Sequence, residues 1–256
     1  YWSHSSTFWN FRCGSANAFG DPTLCGNPKS PSDLPDGPVV EKGGAGQMLR
    51  EAFTSPPNAS NSSRNVYTCL ACSSGTALSS VPFNTTTISP ASAANQTAFG
   101  ASAAYNNSIN GSTGAAGEVT DIINWVRGVD NVGENTLINN RARPSMPGDN
   151  IHAQTVVVNY NTSATGVNPC ADTANLDKDL VAYYASNDAM LHAIKVGPTG
   201  TGAGLEQWAF VPQEFFGVLK RLHDNFPAVV YAAAVPAGDT TKPYTLDGNL
   251  SVYAPD

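Results

Sequence analysis

Residues 179–212 read DLVAYYASNDAMLHAIKVGPTGTGAGLEQWAFVP. Three apolar runs alternate here with two groups of turn-forming residues. Leu180 to Ala185 is rich in apolar and aromatic side chains, as a half-buried strand requires. Ser186-Asn187-Asp188-Ala189 then reverses the chain, because Asn and Asp bond to nearby backbone and tolerate a left-handed conformation. Met190 to Ile194 is a short returning strand, Gly197 to Gly204 a Gly/Pro/Thr loop, and Gln207 to Val211 a third strand. A meander of short antiparallel strands with a Trp near its end is the pattern of one β-propeller blade.

The flanks extend this pattern. Upstream, Arg141 to Tyr160 (RARPSMPGDNIHAQTVVVNY) holds a Pro/Gly/Asp turn and then an apolar strand from Thr155 to Tyr160. Asp149 and His152 within it suit a hydrogen-bonded corner better than an acid–base pair, since no nucleophile adjoins them to complete a triad. Downstream, Pro212 to Asn225 reads as a helix. Pro212 stands at its start, Glu214 lies in its first turn, and Lys220, Arg221 and His223 lie toward its end. Phe215, Leu219, Leu222 and Phe226 form its apolar stripe. Ala228 to Val235 is a continuous apolar strand, and Lys242 to Gly248 a turn.

Several of these segments resemble the start of the C-terminal propeller of the PilC/PilY1-type proteins, the large tip-associated proteins of bacterial type IV pili. That family carries a GxNDGMLHA turn followed by a WAFxPPEF strand. This chain has Asn187-Asp188-Ala189-Met190-Leu191-His192-Ala193, then Trp208-Ala209-Phe210-Val211-Pro212-Gln213-Glu214-Phe215. Gly148, Asp149, Ile151 and His152 match a second family block, with Ala153 and Thr155 in place of its Ser and Pro. Lys220-Arg221-Leu222 matches the family's inserted helix, and Lys242-Pro243-Tyr244 with Asp247-Gly248 its turn into the second blade. Val39 to Gly44, Gln47 to Arg50 and Arg64 to Cys69 resemble the region before the propeller. One departure concerns Ala189, which stands where the family has Gly. Either Asn187 or Asp188 then takes the left-handed conformation, or the turn is of another type. Asn187, Asp188, Trp208 and Asp247, like Asp149 and His152, are motif positions expected to be structural.

The first half is less regular. Residues 1–40 are aromatic at Tyr1, Trp2, Phe8, Trp9 and Phe11 and then Pro-rich. A short helix is expected around residues 45–53, with Met48, Leu49 and Ala52 on one face. Its Gly43-Gly44-Ala45-Gly46 run lacks the Lys-Ser/Thr of a phosphate loop. Residues 73–117 contain no acidic or basic side chain and read as a linker or long surface loop, or as flat strands able to pair between chains. Glu118 to Arg127 is an amphipathic helix with Val119, Ile122, Ile123 and Val126 on one face, acids toward its start and Gly128 as its stop. These boundaries divide the chain into an irregular, Cys-containing region, residues 1–117, and the start of a propeller, residues 118–256.

Of the 256 residues, 13% are charged, about half the usual share of roughly 25%. The net charge of −7 argues against a nucleic-acid partner, which needs a basic face. No run of about 18 apolar residues is present to span a membrane. The chain opens on Tyr1 without a signal-peptide pattern, which suggests a processed form or a fragment. Five cysteines, Cys13, Cys25, Cys69, Cys72 and Cys170, leave at least one without a partner in the chain. Cys69-Leu-Ala-Cys72 is a CxxC with neither a second CxxC nor a following His, so a structural disulfide in an oxidising compartment is preferred over redox, zinc or haem roles. Cys13 with Cys25 is a second candidate bridge.

The expected fold is mainly β with a few helices, a partial propeller comprising one blade and the start of another. Because about four to eight blades close a propeller, the remainder lies outside this chain or other chains pair with it. The resemblance implies an extracellular, non-enzymatic component at the pilus tip or outer-membrane surface of a bacterium. Such a protein acts in pilus assembly and adhesion, with pilins, minor pilins and host or abiotic surfaces as partners. The family's calcium loop has no match here, so no metal, cofactor or catalytic residue is assigned. Two alternatives remain: a subunit that self-assembles into an extracellular filament through open strand edges, and a quinoprotein-type propeller enzyme, whose blade pattern residues 188–208 match loosely.

Overall fold

The computed structural model describes residues 44–51, 64–73, 76–77, 81–133, 141–143, 146–160, 180–196, 203–226 and 243–253. It is a mixed α/β arrangement of a five-stranded mixed sheet, a two-stranded ribbon and four helices. The helices are α1 (Gly44–Glu51), α2 (Ala93–Phe99), α3 (Gly114–Val126) and α4 (Phe216–Asp224). The strands are β1 (Val66–Thr68), β2 (Val129–Asp130), β3 (Arg141–Ala142), β4 (Val156–Asn159), β5 (Leu180–Ser186), β6 (Met190–Val196) and β7 (Glu206–Val211).

The four strands β4 to β7 follow one another antiparallel in chain order, so the meander expected from residues 179–212 forms, with its upstream strand added. The ends of β5 and β6 meet at Ser186↔Met190 around the three residues Asn187, Asp188 and Ala189. The sheet does not stop at β7. β1 lies parallel to it, with Val66 opposite Ala209 and Thr68 opposite Val211. The Thr68 hydroxyl donates to the Val211 carbonyl at 2.7 Å, which fixes that register from a side chain as well as from the ladder. The sheet is open, and the propeller as such is not seen.

Helices cover the β1–β7 side of the sheet. Phe83, Phe99 and Phe216 form the centre of the core, with ring centroids 4.6–6.4 Å apart. Val119, Ile122, Ile123 and Val126 of α3 are all buried there, as their spacing predicts. The helical layer meets the sheet at Val66, Met190, Ala209 and Val211. Burying each phenylalanine contributes roughly 2–3 kcal/mol.

Several expectations are corrected. The charge-free segment 73–117 is no linker where it is described. It supplies Phe83, Ile88 and Phe99 to the core and folds as α2, with Ser92 at its N-cap and left-handed Gly100 closing it. The division at residue 117 therefore falls inside α3, which begins at Gly114. Glu118 and Asp121 are then not acids at a helix start but buried side chains in its body. At α4, Phe216 takes a buried position, while Phe226 is 79% exposed because the helix ends at Asp224 and left-handed Asn225 turns the chain off it before Phe226. The aromatic N-terminus, Cys13, Cys25, Cys170 and the strand read at 228–235 lie outside the described residues.

Candidate functional site

Two arrangements of polar side chains stand out, a buried line of charges through the sheet and a cleft beside it. The first is assembled by the parallel pairing of β1 with β7. Arg64 precedes β1 and Glu206 opens β7, so residues far apart in sequence come side by side. The Arg64 guanidinium grips the Glu206 carboxylate with two hydrogen bonds, Nε to Oε2 at 2.6 Å and Nη2 to Oε1 at 2.9 Å. Its Nη1 donates to the Val126 carbonyl at 2.7 Å. This planar, two-pronged fit is the arginine geometry that a lysine could not reproduce.

From Glu206 the line continues to His192 on the neighbouring strand β6. His192 Nδ1 lies 2.7 Å from Glu206 Oε1, and Nε2 lies 3.0 Å from Ser186 Oγ and 3.2 Å from Asp188 Oδ2. The turn that Asn187 and Asp188 create folds Asp188 back over His192. There the Ser186 hydroxyl and the Gly148 and Met190 backbone N–H groups all donate to its carboxylate. The His192 ring is fully buried and stacks on Tyr184 at 4.8 Å.

The electrostatics follow from these contacts. Burial opposes the charge on His192, yet the Asp188 and Glu206 carboxylates on its two nitrogens raise its pKa to about 9. Burial works against Glu206 too, and Arg64 overcomes it, bringing the carboxyl down to about 2. Asp188 is likewise held well below the usual carboxylate range by His192, Ser186 and Gly148 despite its burial. Arg64, desolvated but paired with Glu206, is pushed up. Arg64, Glu206, His192 and Asp188 are thus two cations and two anions that compensate one another.

Ser186, His192 and Glu206 have the distances of a serine-nucleophile triad, which the sequence did not suggest. Their protonation is wrong for that chemistry. Both imidazole nitrogens face carboxylates, so His192 carries two protons and has no lone pair with which to accept one from serine. The Ser186 hydroxyl already donates to Asp188 at 2.5 Å, and Ser186 is 1% exposed. The group is built to hold charge in place.

The motif positions named from sequence gather at the β5–β6 turn. Asp149 accepts the Asn187 N–H through its backbone carbonyl at 3.0 Å. Thr245 N donates to Asn187 Oδ1 at 3.3 Å, and the Ala189 N–H donates to Thr245 Oγ1 at 3.2 Å. His152 and Asp247 pair across the same corner, Nδ1 to Oδ2 at 2.6 Å, with Tyr244 against the His152 ring. Trp208 stands apart, packed on Tyr183. At the turn itself the expectation is corrected. Ala189, not Asn187 or Asp188, takes the left-handed conformation, with φ of 66°. Its methyl is wholly buried in the core, and that packing offsets a strain of roughly 1 kcal/mol. Gly148 lies so close that a Cβ would stand 2.5 Å from the Asp188 nitrogen, so only glycine fits there.

The second arrangement centres on Asp121 of α3. Its carboxylate accepts from Tyr105, Asn107, Asn110 and Ser112 at 2.8–3.0 Å. These Asn and Ser side chains come from the segment whose composition resembles a linker. Burial and the Asp121 carboxylate push the Tyr105 hydroxyl well above its ordinary pKa. Asn131, which donates to the Asp121 carbonyl, carries the network on to His223. Beside it, Lys220 joins Glu118 to Asp224.

Between the two arrangements opens a cleft of about 660 Å³, lined by Trp125, Arg143, Asp149, Asn187, Asp188, Asp224 and others. The Arg143 guanidinium lies over the Trp125 ring at 3.5 Å. Among the described residues no His/Cys/Asp/Glu group is arranged to hold a metal, and no helix is long and apolar enough to cross a membrane. Cys69 and Cys72 are joined as a disulfide, as the sequence suggests. Compared with known proteins, the chain matches no family model, no curated protein and no solved structure.

Proposed function

We propose that this chain is an extracellular, non-enzymatic component of a bacterial type IV pilus system, acting in pilus assembly and surface adhesion, and that β4 to β7 are the first blade of its propeller. One observation carries the reading. The blocks that resemble the pilus-tip family, residues 148–152, 187–193 and 243–248, are distant in sequence and interlock at one corner of the sheet. Motif residues that consume one another's hydrogen bonds act as a joint between structural units. A four-stranded antiparallel meander in chain order is the form of a propeller blade. The Cys69–Cys72 bond suits an oxidising compartment. The partners would be pilins or minor pilins, and a host or abiotic surface.

The test is to label the native protein with gold-conjugated antibody on cells bearing type IV pili. Gold at pilus tips or bases is expected, and label confined to the cell interior would overturn the reading. The same micrographs address the filament alternative, which requires fibres built from this chain alone. The non-enzymatic part has its own check. A fluorophosphonate probe for activated serines should leave Ser186 unmodified, and labelling of Ser186 would show that the buried group is catalytic after all.

A further inference from the structure

The Cys69–Cys72 disulfide holds little of the fold together. It closes a loop of only four residues just past the end of β1, and it ties β1 to no other described element. The entropy that a disulfide removes from the unfolded chain grows with the loop it closes, so a loop this short gains the least. β1 is seated by other means. The ladder to β7 holds it, the Thr68 hydroxyl donates to the Val211 carbonyl, and the Thr68 N–H donates to the Val81 carbonyl at 3.0 Å. The structural role expected from the sequence thus has little to act on.

The surroundings suit exchange instead. Cys72 is exposed and Cys69 half-buried, so Cys72 is the more accessible partner. Ala71, between them, is left-handed with φ of 72° although it is not glycine. It is exposed, so no burial of its methyl offsets that strain, unlike at Ala189. Exposed or strained disulfides are the ones that reduce readily. The Cys72 backbone N–H also donates to Cys69 Sγ at 3.0 Å. Once the bond opens, that N–H faces a thiolate, and a hydrogen bond to the charged form favours it. From residue 65 to residue 117 the chain has no charged side chain, so no carboxylate adjoining in sequence opposes the thiolate.

We propose that Cys69–Cys72 is a redox-active disulfide that exchanges with external thiols, with Cys72 as the sulfur attacked and Cys69 as the leaving group. An incoming thiolate attacks Cys72 Sγ. A new S–S bond forms as the Cys69–Cys72 bond breaks, and Cys69 departs as a thiolate held by the Cys72 N–H. A second thiolate attacks the incoming sulfur of this mixed disulfide and releases Cys72. Two thiols become one disulfide, while Cys69 and Cys72 take up their two electrons and two protons. The inference is independent of the pilus reading, since it rests only on the surroundings of the two cysteines.

The experiment incubates the native full chain, without denaturant, with reduced glutathione and in parallel with reduced thioredoxin as a protein dithiol. After an acid quench, freed thiols are blocked with N-ethylmaleimide and the chain is cut with trypsin. Residues 65–127 contain no Lys or Arg before Arg127, so both cysteines leave in one peptide that holds none of the others. That peptide should gain two labels in most molecules while near-ultraviolet circular dichroism stays native. Reaction with glutathione assigns the exchange to small thiols, and reaction with thioredoxin alone assigns it to protein thiols. A peptide that stays unlabelled with both until urea is added would overturn the proposal and leave the bond structural. Cys72→Ser keeps the backbone N–H and leaves Cys69 as a thiol. Its alkylation by iodoacetamide, followed against pH on the same peptide, should have a midpoint about one unit below the ordinary value of about 8.5, which is about ten times more thiolate near pH 7. A midpoint at or above that value would remove the leaving group and overturn the assignment.

Discussion

Glu206 holds Arg64 with one oxygen pair and His192 with a shared oxygen, so it is the residue on which the buried charges depend. Glu206→Gln keeps the shape and removes the charge. Two desolvated cations then face one remaining carboxylate, and breaking a buried pair in this way costs about 3–5 kcal/mol. Urea denaturation should show a loss of that size, whereas a loss below about 1 kcal/mol would mark the pair as no stronger than a surface one. The same group fixes the pH dependence. His192 has a raised pKa in the folded state, so its contribution, on the order of 3 kcal/mol, is complete below about pH 6.5 and is lost as pH rises through about 9. Glu206 and Asp188 are depressed, so theirs is present above the ordinary carboxylate range and is lost as pH falls below it. Thermal stability should therefore be greatest between about pH 4.5 and 6.5 and decline on both sides. NMR titration of the His192 ring should give a midpoint near 9, and a midpoint near 6.5 would refute the paired imidazolium. Little of this was legible in the sequence. Asp188 and His192 fall in one motif, but Arg64 and Glu206 sit in unrelated contexts and acquire meaning only when β1 pairs with β7.

Among the elements, strands and helices with a strong local pattern could be read directly. β5, β6 and β7 lie within two residues of their expected limits, because apolar runs bounded by Asn-Asp and Gly-rich turns leave few alternatives. The apolar face of α3 was equally plain. β1 was not, since a strand of only Val66, Tyr67 and Thr68 has too few residues to display a period. Segment 73–117 misled for a different reason. Its Asn and Ser side chains look like those of a solvated loop, yet Asn107, Asn110 and Ser112 do the internal work of turning the chain around Asp121. Composition reports polarity and not where that polarity is spent. Phe99→Ala separates the two descriptions. In a linker it would be silent, whereas in the core, stacked on Phe216 at 4.6 Å, it should cost about 3–5 kcal/mol. Thermal or urea unfolding would register that difference clearly.

For the whole molecule, the first half completes the second. α2 packs on both α3 and α4, and Arg64 and Thr68 bond to residues of α3 and β7. A fragment comprising residues 118–256 should therefore fail to fold alone. It loses Phe83, Ile88 and Phe99 from the core, the first turn of α3 and the counter-charge to Glu206. Circular dichroism and gel filtration of that fragment should show an unfolded or aggregated species. A cooperative, monomeric fragment would restore the boundary at 117 that composition suggests.

The parallel seating of β1 against β7 also has a consequence in time. Arg64 and Glu206 are 142 residues apart. At a synthesis rate of about 5–20 residues per second, roughly seven to thirty seconds separate the moments at which the two leave the ribosome. Throughout that interval β1 has only the Val81–Phe83 segment to bridge to, and Arg64 lacks the Glu206 carboxylate that it grips in the finished fold. The β1–β7 pair is therefore the last part of the five-stranded sheet that can form, after β4 to β7 have emerged in chain order.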